Sequence, residues 1–179
     1  MNSYPLIPFA ISSPHHSVSV GVTNHPNSLS LEYALIGPIS EIEVPKLSSR
    51  PMRKVGLYQT TCFEAFIGND KGEYLEWNFS PSQDWCVFDF ESYRVSSKRE
   101  LNENFFHDLK VHFGTSDLKL DVSLKLDEIR KTLGGSETLK LGLSAVVETV
   151  DGTLQYFSLK HATDKPDFHR SGSFLIDLV

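Results

Sequence analysis

Leu118-Lys119-Leu120-Asp121-Val122-Ser123-Leu124-Lys125-Leu126 is the stretch on which the fold turns. An apolar residue stands at every second position, and Lys, Asp, Ser and Lys fill the gaps. Successive side chains of a strand point to opposite faces, so this stretch is a strand with one dry face and one wet face. A helix would need apolar spacings of three and four.

The same period recurs on either side. Val18, Val20 and Val22 alternate with small residues, and Leu29, Leu31, Tyr33 and Leu35 alternate around Ser30, Glu32 and Ala34. Leu139, Leu141, Leu143, Ala145 and Val147 repeat it. Turn formers separate the runs: Asn24-His25-Pro26-Asn27, Gly37-Pro38, Asn69-Asp70-Lys71-Gly72 and Asp151-Gly152. The last of these predicts a hairpin between Val147 and Leu154. Helical signals are confined to Asp127–Leu133, stopped by Gly134 and Gly135, and to Ser97–Leu109, which reads as helix or loop. About nine to eleven strands with at most one or two short helices give an all-β fold. The expected architecture is an antiparallel two-sheet sandwich, jelly-roll-like, formed by a single domain over residues 1–179.

Composition narrows the function classes. A chain of 179 residues with 40% hydrophobic and 22% charged residues is neither disordered nor a bundle of membrane helices. At this size about 70% of the unfolded chain's surface is buried on folding, so no disulfide or metal is needed for stability. The net charge of −6 argues against nonspecific binding to nucleic acid or anionic membranes. Lys46, Arg50, Arg53 and Lys54 form a local cationic run that reads as a solvated loop. Met1-Asn2-Ser3-Tyr4-Pro5 has neither a cationic start nor an apolar run. The expectation is therefore a cytoplasmic protein whose two cysteines, Cys62 and Cys86, are reduced.

Several polar and aromatic residues look superfluous to folding. Glu64 interrupts the apolar run Cys62-Phe63-Glu64-Ala65-Phe66-Ile67, where an unpaired carboxylate is expensive. It either pairs with Arg94 or lines a concave sheet face and accepts hydrogen bonds from ligand hydroxyls. From Tyr74 to Arg94 the chain is rich in aromatics. Alternation puts Leu75, Trp77 and Phe79 on the core face, and Tyr74, Glu76 and Asn78 on the other. Trp85 follows the turn Ser80-Pro81-Ser82-Gln83-Asp84, at a sandwich end where binding loops gather. It is read as a ligand platform or a packed indole, and Tyr93 as a ligand contact. Asp167 and His169, flanking Phe168, point the same way if extended, and His161 is a possible neighbour. This set is expected to order a loop rather than hold a metal. Cys62 reads as a buried, unactivated thiol, and no nucleophile elbow or phosphate-binding loop is present.

Three groups of motifs occur together: Tyr58-Gln59-Thr60-Thr61-Cys62-Phe63-Glu64-Ala65-Phe66, then Asn78-Phe79-Ser80-Pro81-Ser82, Trp85 and Tyr93-Arg94, and later Gly142-Leu143-Ser144-Ala145-Val146-Val147-Glu148, Asp151-Gly152, Tyr156, His161 and Pro166-Asp167-Phe168-His169. In this combination the chain resembles the DOMON-like proteins of bacteria, similar in fold to the family 9 carbohydrate-binding modules. Tyr58 and Phe157 stand where close relatives are expected to carry tryptophan. The resemblance implies a β-sandwich whose relatives bind sugars or haem.

The expected function is noncatalytic binding of a saccharide or sugar-like small molecule. Its contacts are Glu64, Trp85, Tyr93, Arg94, His161, Asp167 and His169, with no cofactor and no catalytic or metal-binding residue. A haem-binding redox domain, with His161 or His169 as axial ligand, is the alternative. A protein-interaction domain with no small-molecule ligand is the third reading, and an enzyme ranks last. The pattern gives no oligomeric state.

Overall fold

The computed structural model describes residues 1–10, 15–97, 101 and 105–178. Its strands in chain order are β1 (Asn2–Pro8), β2 (Ser17–Asn24), β3 (Ser28–Ile36), β4 (Cys62–Asn69), β5 (Tyr74–Phe79), β6 (Trp85–Ser92), β7 (Val95–Ser96), β8 (Phe106–Phe113), β9 (Asp117–Lys125), β10 (Leu139–Glu148), β11 (Leu154–Ser158) and β12 (Ile176–Leu178). One short helix, α1 (Leu126–Thr132), follows β9 and is closed by Gly134 and Gly135, both at positive φ. All strand pairs are antiparallel.

Two layers result. Sheet A runs β1-β2-β3-β9-β8, and sheet B runs β7-β6-β5-β4-β10-β11, with β12 beside the start of β10. The end of β1 joins them, because Ile7 and Pro8 leave β2 and pair with Ser158 and Phe157 of β11. The twelve strands among the described residues exceed the nine to eleven expected. The two-residue β7 and three-residue β12 are too short to display a period. Of the segment Ser97–Leu109, residues 106–109 belong to β8, and 98–100 and 102–104 lie outside the described residues.

The repeating pattern behaves as read. Leu118, Leu120 and Leu124 are fully buried, opposite Leu35, Tyr33 and Leu29 of β3. Ala65, Ile67, Leu75, Trp77 and Val87 fill the same core from sheet B. Each such side chain contributes about 1.5–3 kcal/mol relative to exposure. Trp77 is a core indole, edge-on to Phe105. Lys46, Arg50, Arg53 and Lys54 are all exposed, as a solvated loop requires. No helix among the described residues is long and apolar enough to cross a membrane.

The outer face of sheet B is also covered. A 3₁₀ turn at Leu57–Gln59 packs Leu57 over Cys62, Cys86 and Phe88. At the other end, Phe174 lies against Phe66, with ring centroids 5.7 Å apart. That approach requires glycine at 142, since a Cβ there would come within 2.5 Å of the Phe174 ring. Between these two apolar patches the outer face turns polar.

Candidate functional site

Register places the polar floor. Glu64 pairs with Ser144 of β10 on one side and Asn78 of β5 on the other, and Glu76 lies one step further along β5, opposite Phe66. Same-face residues at such diagonal positions are within reach of each other. All four floor residues are buried: Glu64 at 3%, Glu76 at 6%, Asn78 at 0% and Ser144 at 1% exposure. Ser144 Oγ donates to Glu64 Oε2 at 2.9 Å, and Asn78 Nδ2 donates to Glu76 Oε1 at 2.7 Å. Above Glu64 and Glu76 opens a cavity of about 630 Å³, walled by Phe88, Phe90, Val146, Tyr156 and Phe168 and bordered by Tyr58, Arg94 and His169.

Burial pushes both carboxyl groups well above the ordinary range, and a neutral donor tempers each. For Glu64, desolvation comes first and the Glu76 charge second, against the Ser144 hydrogen bond and the Arg94 charge. For Glu76, desolvation is again largest, against Asn78 and Arg94. Two buried acids this close do not both ionise at neutral pH, so the pair retains a proton. Cys62 and Cys86 are buried free thiols flanking the same floor. Burial raises the pKa of both, so neither is an activated nucleophile.

A second layer comes from the β6–β7 turn and the loop after Pro166. Arg94 sits at φ 57°, in the left-handed region, at a cost of roughly 1–2 kcal/mol for a non-glycine residue. In return its N–H donates to Tyr74 Oη at 3.1 Å. Tyr74 Oη lies 2.9 Å from His169 Nδ1. A phenol that donates its proton to Nδ1 while accepting the Arg94 N–H leaves His169 as the Nε2–H tautomer. Nε2 stands 3.7 Å from Glu76 Oε2. Burial first, and Arg94 second, lower the His169 pKa to about 4. The ring is therefore neutral at pH 7 and forms no ion pair with Glu76 there.

Asp167 ties this layer together. It accepts from Tyr93 Oη at 2.6 Å, Arg94 Nη2 at 3.1 Å, Arg170 Nε at 3.3 Å and the His169 N–H at 3.2 Å. Burial alone would raise its pKa, but the Tyr93 and Arg94 hydrogen bonds outweigh it and hold the carboxyl below its usual range. Tyr93 in turn stacks under the Arg170 guanidinium, 3.8 Å from the ring centroid.

Among the residues predicted from sequence, the cavity brings together Glu64, Arg94 and His169. Asp167 and Tyr93 stand behind Arg94 as its supports. Two expectations are corrected. Trp85 is not at a binding loop: its backbone pairs with residues 52–54, and its indole points into the core, edge-on to Phe106 at 4.8 Å. His161 lies outside the cavity lining, its Nε2 2.7 Å from the Ile7 carbonyl and its ring between Phe9 and Phe168. Of the two readings of Glu64, the ion pair with Arg94 is absent among the described residues, and the Arg94 guanidinium is engaged by Asp167. Phe157 is a core residue, and Tyr58 is 47% exposed at the rim. Glu76, Asn78 and Ser144 were missed as site residues, although their shared parity with Glu64 was readable. Among the described residues no three His, Cys, Asp or Glu side chains gather as a metal would need.

Another cavity of similar volume, about 680 Å³, opens between Phe9 and the β10–β11 hairpin. Its acids are surface groups, and Asp151 is occupied by Thr149 and Thr153 of its own turn. The cavity over Glu64 and Glu76 is therefore the candidate site.

Known structures share this fold. A family 9 carbohydrate-binding module from Caldicellulosiruptor kristjanssonii, solved in complex with cellotriose, superposes with a TM-score of 0.67 at 7% identity, over 99% of this chain and 80% of the module. The chain has the fold of a family 9 carbohydrate-binding module. A candidate carbohydrate-binding protein from Bacteroides uniformis ATCC 8492 is similar at a TM-score of 0.68 and 10% identity, over 97% of this chain and 84% of that one. No protein-family model matches the sequence, and no curated protein matches it.

Proposed function

We propose that the cavity on the outer face of sheet B binds a saccharide without transforming it. The observation that carries this reading is the floor itself: four polar side chains, desolvated on a sheet face, with aromatic walls above. A packed sandwich has no use for such groups, whereas a sugar needs hydrogen-bond partners at its edges and flat apolar surface against its C–H faces. The likeness in fold to a module solved with cellotriose supports the same reading. The motifs shared with the DOMON-like bacterial proteins suggest the branch of this fold to which the chain belongs.

Catalysis fits the geometry poorly. Glycoside cleavage uses two carboxyl groups flanking the scissile bond. Glu64 and Glu76 lie side by side on one floor, and both oxygens of Asp167 are taken up by Tyr93, Arg94 and Arg170. Haem fits less well than sugar, because of the two candidate axial ligands only His169 borders the cavity, and its Nε2 faces the buried Glu76 carboxyl at 3.7 Å.

Calorimetric titration with neutral, N-acetylated, aminated and phosphorylated disaccharides tests the proposal. Binding by at least one sugar, weakened several-fold in Tyr58→Ala with the melting temperature unchanged, is expected. Absence of heat from every sugar, with the protein folded, refutes it.

A further inference from the structure

We propose that the ligand presents an ammonium group to Glu64 and Glu76, so that the site selects an aminated saccharide over a neutral one. The inference rests on the saccharide reading and concerns the chemistry of the same cavity.

Glu64 and Glu76 occupy neighbouring strands and one face, and each is supported by a neutral donor only, Ser144 or Asn78. Glu64 is 97% buried, and its Oε1 receives no hydrogen bond among the described residues although the residue lines the cavity. Among the described residues the cation at the cavity border is Arg94, which is bound to Asp167 through a 3.1 Å contact. His169 is neutral, and Cys62 and Tyr33 are held protonated by burial. Among the described residues the two adjacent buried acids therefore have no cation in direct contact, and Arg94 acts on them only at a distance.

Hydroxyl groups of a neutral sugar satisfy the hydrogen-bonding capacity of this pair but leave its charge uncompensated. An ammonium group does both, and its three N–H donors match the free oxygens of two carboxylates. Rings of Phe88, Phe90, Tyr156 and Phe168 line the walls, and aromatic faces attract a cation by their quadrupole. Binding is then an exchange. The proton retained by the free acid pair leaves to solvent, the carboxyl O–H bond breaks, and the incoming ammonium supplies the positive charge in its place.

The test is calorimetry with a β-1,4-linked glucosamine disaccharide, its N-acetylated form and the neutral glucose disaccharide. Each is titrated at pH 6.5 in two buffers of different ionisation enthalpy. The aminated sugar is expected to bind at least tenfold tighter than either counterpart and to show net proton release that the neutral sugar lacks. Glu64→Gln and Glu76→Gln should each erase most of that preference, whatever they cost in affinity for the neutral sugar, and abolish the proton release. Equal or tighter binding of the neutral sugar, or an amine preference that survives both substitutions, overturns the inference and leaves the saccharide reading intact. Silence from all three sugars, extended to the full panel, removes both.

Discussion

The two sheets of this sandwich bury equivalent inner faces and differ on the outside. The outer face of sheet A is Lys119, Asp121, Ser123 and Glu32, partly or fully in water. That of sheet B is Glu64, Glu76, Asn78 and Ser144, out of water. The residue types are nearly the same, and only the covering loops differ. On sheet A polar residues are the ordinary consequence of a half-buried strand. On sheet B they are costly, and a costly group retained on a covered face points to a ligand.

The comparison can be broken or sharpened by substitution. The largest effect belongs to the inner faces. Leu120→Ala should cost about 2–5 kcal/mol in chemical denaturation, as for other large-to-small core changes. Next comes the cover of sheet B: Gly142→Ala forces Phe174 away and should cost about 1–3 kcal/mol while weakening sugar binding. Tyr74→Phe leaves the part-buried Arg94 N–H and His169 Nδ1 without their shared partner, and a loss of about 0.5–1.5 kcal/mol is expected by the same assay. At the small end, Lys119→Ala on the wet face of sheet A should stay within about 0.5 kcal/mol of the parent.

A pH experiment sharpens it further. The pKa values of Glu64 and Glu76 are raised from 4.5, to about 8 and about 7. The folded state thus binds more protons than the unfolded chain between those limits, and stability from this pair is full below pH 4.5 and lost as pH rises toward 8. His169 acts in the opposite sense: its depressed pKa costs stability as pH falls from 6.5 through about 4. The clean readout is therefore the difference between parent and Glu64→Gln. The variant should gain on the parent in melting temperature between pH 5 and pH 8, at about 2–4 °C for each kcal/mol in a domain of this size.

Sequence made the inner faces legible because a buried leucine every second residue leaves one interpretation, as in Leu118 to Leu124. It also exposed Glu64, a carboxylate in an apolar run. Trp85 misled because its position after a turn was weighed above its parity with Val87, which points inward. Glu76 and Asn78 had been assigned to the outer face correctly, yet nothing local reveals that this face is covered. The cover comes from residues 55–59 and 166–174, which are distant in the chain and carry no period. Asp167 and Arg94 are 73 residues apart, and their ion pair is a product of tertiary structure alone.

The most direct examination of the central claim is backbone NMR during titration with the tightest-binding sugar of the panel. Shifts confined to β4, β5, the β6–β7 turn, β10 and residues 166–170, with β3, β8 and β9 unmoved, are the predicted result. Perturbation centred on the outer face of sheet A, with Glu64 and Ser144 silent, would contradict it.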